Sequence, residues 1–329
     1  MRSIYLNEGL PWYSDEVDVA NLKDRTINDY LSMTPQDIKR ELEKSVVSQS
    51  EACKQVSLMM YQHLRGHRSV NLVAGPTGSG KSFITETLKD IFPDIVYIRD
   101  VSGVSMEGWT GNKKLCNLFQ GVQPKEGTHV IHPFMVFDEC DKLFAPKISS
   151  SGEHVNENIQ AEFLTAIQGT DVSLKGSSET VDTRPMSFLF AGAFEKRAKA
   201  IAEKETGCTI GFGATQKKVQ SYSRDLTMED VHEAGCIHEM CGRIQKIICL
   251  NKIGEDEYIS ILRNEGAGPI YELENEFDIK LILSDSKKEE IATNAVNSGL
   301  GIRSIKNQIR TYIDEAIWDD CNARKIEIA

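Results

Sequence analysis

The segment GPTGSGKS at positions 75–82 combines glycines, a lysine and a serine at the spacing of a phosphate-binding loop, G-x-x-x-x-G-K-[ST]. Glycines allow backbone N–H groups to curl around phosphate oxygens, and the start of a following helix adds positive potential. Lys81 then reaches the terminal phosphates of a nucleoside triphosphate, and the Ser82 hydroxyl ligates Mg²⁺. A glycine-rich turn that matches the pattern by accident is the alternative interpretation.

The elements on either side of this loop have the order that it requires. Residues 69–74, SVNLVA, form a short β-prone run, and residues 83–91 have the pattern of an amphipathic helix. Strand, glycine loop and helix in succession favour phosphate binding over an accidental turn. The residues predicted to contact the nucleotide here are Gly75, Pro76, Thr77, Gly78, Ser79, Gly80, Lys81, Ser82 and Phe83.

Two adjacent carboxylates follow a second apolar run. Residues 134–137, FMVF, have the pattern of a buried strand, and Asp138 and Glu139 come directly after it. Asp138 is placed to hold the Mg²⁺ shell, and Glu139 to polarise an attacking water. An acidic strand end that faces solvent is the alternative. Together with the phosphate loop, the pair predicts ATP hydrolysis.

Two arginines lie at element boundaries where they could complete the site. Arg243 lies between a helical stretch and the apolar run at 247–250, and Arg303 lies in the first turn of a later helix beside a glycine pair. Isolated arginines are usually surface residues. Here their positions relative to the phosphate loop make them candidates for contact with nucleotide.

Composition narrows the class of protein. The chain has 329 residues, 40% hydrophobic and 26% charged, which is typical of a globular protein with ample core. No apolar run approaches the roughly 18 residues of a membrane span, and the first twenty residues turn acidic where a signal peptide needs an apolar stretch. We therefore expect a cytoplasmic protein that does not enter a membrane.

Charge and cysteine spacing exclude further classes of site. No two of the eight cysteines are spaced C-x-x-C, which disfavours a zinc ribbon or a disulfide framework. The net charge of −11 disfavours nucleic-acid binding through a general basic surface. Binding through a local basic channel in an oligomer is the alternative.

The pattern of elements predicts an α/β fold with two folded domains. Candidate strands lie near 70–74, 94–99, 134–138, 187–191 and 247–250, and helical stretches alternate with them, which is typical of a parallel five-stranded sheet in an αβα sandwich. We expect a variable N-terminal extension at 1–33, a large nucleotide-binding domain at 34–251 and a smaller, mainly helical domain at 252–329.

From about residue 34 to its end, the sequence resembles the AAA+ ATPases, and specifically the ClpX protein unfoldases. GPTGSGKS and VFDECDKL match the Walker A and Walker B segments, and SVVSQSEACKQV resembles the adenine-contacting entry segment, which implies that Val46 and Val47 contact the base. MEDVHEAGCIHEMCGRIQ resembles the segment of the arginine finger, which implies Arg243. GLGIRSI resembles the sensor-2 helix, which implies Arg303.

The resemblance also implies a hexameric ring that binds ATP and Mg²⁺ and threads protein substrates through a central pore. Gly108, Trp109, Thr110 and Gly111 fall where the family has GYVG, the loop that lines the pore. A bulky amphipathic ring contacts any passing side chain, and glycines permit motion. A tryptophan buried in the core is the alternative.

A short apolar loop implies a further partner. Ile210, Gly211 and Phe212 match the IGF loop through which ClpX docks on the ClpP peptidase. Apolar side chains on a loop suit hydrophobic clefts of a partner, whereas a local anchor on the same domain is the alternative.

Two family features have no counterpart in this sequence. One is the N-terminal zinc-binding domain, and the other is the basic RKH outer pore loop, in whose place residues 172–182 carry one positive charge. A protease-independent remodeller, a nucleic-acid motor and a non-hydrolysing scaffold gated by nucleotide therefore stay as rival functions.

Overall fold

A computed structural model describes residues 25–106, 113–149, 152, 154–176, 178–206, 224–264, 266 and 268–328. The predicted pore-loop residues Gly108, Trp109, Thr110 and Gly111 and the predicted docking residues Ile210, Gly211 and Phe212 lie outside the described residues. The strands are β1 Val70–Ala74, β2 Val96–Asp100, β3 Phe134–Asp138, β4 Asp171–Ser173, β5 Thr180–Asp182, β6 Ser187–Gly192, β7 Lys246–Cys249, β8 Lys280–Leu283 and β9 Lys325–Ile328.

The helices alternate with these strands along the chain. Several begin at capping boxes, as at Thr26, Thr34 and Thr227, where a threonine hydroxyl and an aspartate three residues later satisfy the first backbone N–H groups. The helices are α1 Ile27–Ser32, α2 Pro35–Ser45, α3 Ser50–Leu64, α4 Lys81–Ile91, α5 Leu115–Leu118, α6 Cys140–Phe144, α7 Val155–Gln168, α8 Glu195–Thr206, α9 Met228–Glu233, α10 His238–Cys241, α11 Glu255–Arg263, α12 Pro269–Phe277, α13 Asp285–Ser298 and α14 Ile302–Asp319.

A parallel five-stranded sheet organises the large domain, in the order β2-β3-β6-β1-β7. Because successive side chains of a strand point to opposite faces, Leu72 packs in the apolar cluster on one face and Val73 in the cluster on the other. Both faces are covered, which explains the almost continuous apolar strands. The predicted α/β fold with a parallel five-stranded sheet is confirmed.

The carboxyl ends of these strands lie at one edge of the sheet, and the phosphate loop follows β1 there. In open α/β sheets, ligands bind at this edge. Asp100 at the end of β2 pairs in register with Asp138 at the end of β3, and β6 ends beside them at Gly192. The sheet therefore brings residues from separate segments of the sequence together at one edge.

The small domain has its own apolar cluster, which runs from Ile253 to Ile328 and is formed by α11–α14 and the strands β8 and β9. The prediction of a mainly helical domain omitted these two strands, which pair in parallel, Leu281 beside Ile326. Each has only two buried side chains in four residues, so neither gives a strong apolar run.

The large domain begins before the boundary that the sequence suggested. Ile27 and Tyr30 of α1 are buried in the same cluster as α2, α3 and β3, and Tyr30 packs against Phe92 with ring centroids 5.2 Å apart. Residues 27–33, which we predicted as part of a variable extension, therefore pack on the sheet. The outer-loop segment at 172–182 is mostly an exposed hairpin, in which β4 and β5 pair antiparallel.

Candidate active site

The phosphate loop connects β1 to α4, and two of its positions have backbone conformations that favour glycine. Gly80, the N-cap of α4, has φ +94°, and Gly78 has φ +79°. Helix α4 starts at Lys81, two residues before the predicted Phe83, so that its first free N–H groups point into the loop. The local order strand, loop and helix is as predicted.

Lys81 holds its ammonium group inside the curve of the loop. Its Nζ donates hydrogen bonds to the carbonyls of Gly75, at 2.7 Å, and Pro76, at 2.8 Å. Burial lowers the pKa of Lys81, and the nearby carboxylates of Asp138 and Asp141 partly oppose this shift. An anion bound in the loop would meet a positive charge that water screens poorly.

Ser82 and Asp138 bring together the two predicted Mg²⁺ ligands. Ser82 Oγ donates to Asp138 Oδ2 at 2.9 Å, although the two residues lie on different elements. A hydroxyl and a carboxylate oxygen side by side form a hard-oxygen donor set of the kind that Mg²⁺ takes at phosphate sites. The residues present therefore fit this ion.

Glu139 is aimed at the cleft by an unusual backbone. It has φ +58°, a left-handed conformation that is uncommon for residues other than glycine, and it is the N-cap of α6. Its N–H donates to Asp138 Oδ1 at 2.8 Å, and its side chain is exposed on the cleft wall. Strained residues of this kind cluster at functional sites.

A cleft of about 380 Å³ runs between the large and small domains and has a polar and an apolar end. Thr77 to Phe83, Asp138 and Glu139 line the polar end. Val46 and Val47 line the cleft together with Ile253 and Ile302. A volume of 300–1,000 Å³ suits a small-molecule ligand, and the many polar and charged residues that line this cleft beside apolar side chains suit a nucleotide. Of the predicted loop residues, Gly75 and Pro76 do not line it.

Gln49 connects three parts of this site, and sequence reasoning missed it. This buried side chain donates to the carbonyls of Ser79, at 3.1 Å, and Asn251, at 2.9 Å, and accepts from Asn251 N–H at 3.1 Å. It therefore binds the entry segment to the phosphate loop and to the end of β7. The segment SVVSQ was quoted for its valines, and its glutamine carries no motif of its own.

Glu195 is a second residue that the sequence did not reveal. At the start of α8 it accepts a hydrogen bond from Thr77 N–H at 3.0 Å. An acidic residue in a first helical turn is common because it stabilises the helix dipole, so it gives no separate signal of a site.

The small domain reaches the phosphate loop through Gly301 and Arg303. A Cβ on Gly301 would lie 2.3 Å from Gly78 Cα, so the two backbones touch. Arg303, two residues further along the chain, lines the cleft and is exposed, and within the described residues it has no ion-pair partner. Position and free charge both suit contact with a bound anion.

Arg243 lies at the opposite edge of the sheet from its own cleft. It precedes β7, whereas the phosphate loop follows the neighbouring strand β1, and five residues of strand span about 16 Å. Arg243 is exposed, does not line the cleft, and faces Arg68, whose pKa is lowered by burial and then by the Arg243 charge. Arg243 is thus separated from the cleft of its own chain.

Asp230 fixes the segment that leads to Arg243. Its buried carboxylate accepts from Arg197, Arg224 and Thr227. Burial raises the pKa of Asp230, but these hydrogen bonds outweigh burial and hold that pKa well below its usual range. Helices α8 and α9 are therefore tied together beside α10.

Comparison with known proteins agrees with this site. A family model described as "ATPase family associated with various cellular activities (AAA)" matches residues 71–220. The ClpX ATP-binding subunit of the ATP-dependent Clp protease from Treponema denticola is 24% identical over 87% of this chain and 77% of its own length. That of Azotobacter vinelandii is 24% identical over 87% of this chain and 74% of its own.

The parallel sheet, the phosphate loop and the acid pair at the carboxyl edge define a AAA+ ATPase. Both relatives cover most of this chain. By this similarity the chain is a ClpX-like AAA+ protein. No helix in the part of the chain that the structure describes is long and apolar enough to cross a bilayer.

Proposed function

We propose that this protein is an ATP-driven unfoldase and translocase, which works as a ring and pulls polypeptides through a central pore. The ATPase class comes from the fold and site, whereas the unfolding of protein rests on where the segment around Trp109 is attached. That attachment carries the proposal.

The segment that contains Trp109 is rooted beside the acid pair. It leaves the sheet after β2, where Val101 N–H donates to the Asp138 carbonyl at 3.0 Å. Its base is closed because Ser105 N–H donates to the Lys113 carbonyl at 2.9 Å, and Lys113 also pairs with Asp100 at 3.3 Å. A change at Asp138 on nucleotide turnover would therefore reach the base of this segment. The segment has a tryptophan between two glycines in its sequence.

The proposed chemistry is hydrolysis of the terminal phosphate of ATP. Val46 and Val47 contact the base, the loop from Gly75 to Phe83 holds the phosphates, and Lys81 neutralises their charge. Mg²⁺, held by Ser82 and Asp138, would supply further positive charge. Glu139 orients the attacking water and accepts its proton, and Arg303 contacts the nucleotide from the small domain of the same chain.

We propose that Arg243 completes this site from the neighbouring subunit, in a ring of six. Its position across the sheet from its own cleft supports this role, because from there Arg243 can contact only a nucleotide that is bound in the cleft of another chain. An arginine finger contributes roughly 10³–10⁵ in kcat, so a subunit alone would hydrolyse ATP slowly.

We further propose a cytoplasmic location and a ClpP-type peptidase as partner, docked through Ile210, Gly211 and Phe212. The described cysteines are free thiols, which suits a reducing compartment. A remodeller without a peptidase is the second candidate, because the basic outer pore loop of ClpX has no counterpart here. Co-purification with a ClpP-type peptidase separates the two.

Unfolding of a stable fluorescent protein with a disordered C-terminal tag tests the central part of this proposal. We expect Trp109→Ala to keep its ATPase and lose unfolding, because the loop can no longer grip. Trp318→Ala is the matched control, because Trp318 is 89% exposed on α14. We expect this variant to unfold the reporter at the wild-type rate. Equal unfolding by wild type and Trp109→Ala would contradict the pore role. ATP hydrolysis by wild type without unfolding of any reporter would favour the remodeller.

A further inference from the structure

Two cysteines and a histidine form a cluster directly before Arg243. Cys236 precedes α10, Cys241 ends it, and their thiols share a hydrogen bond. Cys241 Sγ lies 3.8 Å from the Cys236 carbonyl oxygen, and His232 Nδ1 donates to that same oxygen at 2.8 Å. His232 also makes a side-chain hydrogen bond with Cys241. Both sulfur atoms are thus adjacent, with an imidazole beside them.

Both thiols are buried, and only Cys241 contacts a residue that reaches the surface. Cys236 is 1% exposed, whereas Cys241 is 6% exposed and contacts His232, an exposed residue. The rings of His232 and His238 lie 5.8 Å apart in a T-shaped arrangement at the surface. No group of His, Cys, Asp and Glu within the described ranges is arranged to hold a metal ion, so this cluster is not a metal site.

Electrostatics divides the roles of the two thiols. The hydrogen bond from the Cys236 thiol lowers the pKa of Cys241, burial opposes this, and the charge of His232 lowers it further. The same hydrogen bond and burial raise the pKa of Cys236. Cys241 is therefore the thiol that ionises more readily, and the thiolate is the form that reacts, whereas Cys236 is the thiol that lies behind it.

Cys53, Cys140 and Cys321 lack this combination. Burial raises the pKa of Cys53 to about 12 and that of Cys140 well above its usual value. Neither has a second thiol in hydrogen-bonding contact, and Cys321 is exposed without a described thiol partner. Disulfides in reducing compartments are usually transient and redox-sensing, which requires a selective pair of this kind.

We propose that Cys236 and Cys241 are a peroxide-sensitive pair whose disulfide displaces Arg243 and stops ATP turnover. The second half of this inference rests on the proposed role of Arg243. The Cys241 thiolate attacks a peroxide oxygen, the O–O bond breaks, and the products are Cys241 sulfenic acid and an alcohol, or water from hydrogen peroxide. Cys236 sulfur then attacks Cys241 sulfur, the S–O bond breaks, and water leaves. Two thiols are oxidised to a disulfide, and one peroxide is reduced.

The anchoring of the segment explains why Arg243 would move. The buried Gln160 donates to the Gly235 carbonyl at 3.0 Å and accepts from Ile237 N–H at 2.9 Å, which fixes the Cys236 end. The Cys241 end belongs to a helix of only four residues, followed by Gly242. A disulfide requires about 2.05 Å between sulfurs and a defined torsion. The short helix, and Arg243 after it, must adjust to meet this geometry.

A titration of the assembled protein with hydrogen peroxide, with ATPase and mass mapping from the same samples, tests this inference. Trypsin cleaves after Arg224 and Arg243, so one peptide, 225–243, contains both cysteines and no other. We expect this peptide to lose two hydrogen atoms and resist alkylation at peroxide levels that leave Cys321 reduced. ATPase should fall at least tenfold in parallel and recover with a dithiol reductant.

Matched variants separate the possible outcomes. Cys236→Ser and Cys241→Ser should keep ATPase at the same peroxide level, and Cys321→Ser should stay as sensitive as wild type. An unoxidised peptide 225–243, a disulfide without loss of ATPase, or equal sensitivity of Cys236→Ser would each overturn the inference. Full ATPase activity of Arg243→Ala without peroxide would instead refute the proposed arginine-finger role of Arg243. That result does not depend on the two thiols.

Discussion

Glu139, the residue that we propose as general base, is directed at the cleft by its own backbone. Its φ of +58° costs backbone energy, and the Asp138 carboxylate that accepts its N–H also accepts from Ser82. The end of β3 thus aims one acid at the metal site and the next acid into the cleft. No side-chain hydrogen bond of the described residues restrains the Glu139 carboxylate, so it is available to water.

At this scale we predict that Glu139→Gln binds ATP and fails to turn it over. A positioned general base contributes about 10²–10⁴ in rate, and the amide cannot accept the proton. Phosphate release should fall by that factor, while ATP stays bound after rapid desalting. Glu289→Gln, an exposed residue of α13, is the control and should match wild type. Continued hydrolysis by Glu139→Gln would place the base elsewhere.

Sequence alone predicted the residues that chemistry fixes at short spacing. Lys81, Ser82, Asp138 and Glu139 lie next to glycines or apolar strands, and the structure places all four on one cleft. Gln49 was not predicted, because its partners Ser79 and Asn251 lie far away in the sequence. Long-range hydrogen bonds leave no local pattern.

At the scale of elements, the contact between Gly78 and Gly301 joins the phosphate loop to the start of α14. Neither position has room for a side chain: a Cβ on Gly78 would lie 2.6 Å from Gly301 Cα. The sensor-2 helix therefore approaches the loop backbone directly. The sequence showed a glycine pair before Arg303, but only the fold shows what the second glycine touches.

We predict that Gly301→Ala weakens ATP binding at least about tenfold, or about 1.4 kcal/mol, because the added methyl group pushes α14 and Arg303 away from the loop. Gly299→Ala is a close control. Gly299 has φ +69°, near the +65° of Gly301, but a Cβ there meets nothing within 4 Å. The two positions differ in ψ, +7° at Gly299 and −145° at Gly301, so Gly301→Ala carries the larger backbone strain in addition to the contact.

Titration with a fluorescent ATP analogue measures the difference. Equal affinities of the Gly301→Ala and Gly299→Ala variants would show that the contact contributes nothing to binding. Chemical denaturation of both variants measures the loss of stability from backbone strain separately from the loss of ATP affinity.

Element prediction succeeded where an apolar run was long and failed where it was short. The central strands β1, β3 and β6 were predicted because each is buried on both faces over at least four residues. Strands β8 and β9 were missed, since residues 280–283 and 325–328 each alternate between exposed and buried side chains over four positions. Helix α1 was missed because only Ile27 and Tyr30 are buried along it.

At the scale of the whole molecule, the cleft and Arg243 belong to different faces of one chain. A chain with one intact cleft and one exposed arginine across the sheet can pair with copies of itself in a closed ring. Each ATP site then depends on two chains. No single-chain pattern in the sequence predicts which neighbour supplies the arginine.

Mixing two inactive variants tests this account most directly. Arg243→Ala keeps an intact Glu139 cleft but has no finger, and Glu139→Gln keeps Arg243 but has no base. Each alone should have less than about one hundredth of wild-type ATPase if the finger and base act as proposed. Rings reassembled from equal amounts should recover a clear fraction of the activity, because some interfaces combine Glu139 of one chain with Arg243 of its neighbour. Arg324→Ala, an exposed arginine far from the cleft, is the control and should be fully active alone. No recovery in mixed rings, or near-normal ATPase of Arg243→Ala by itself, would contradict a site shared between subunits.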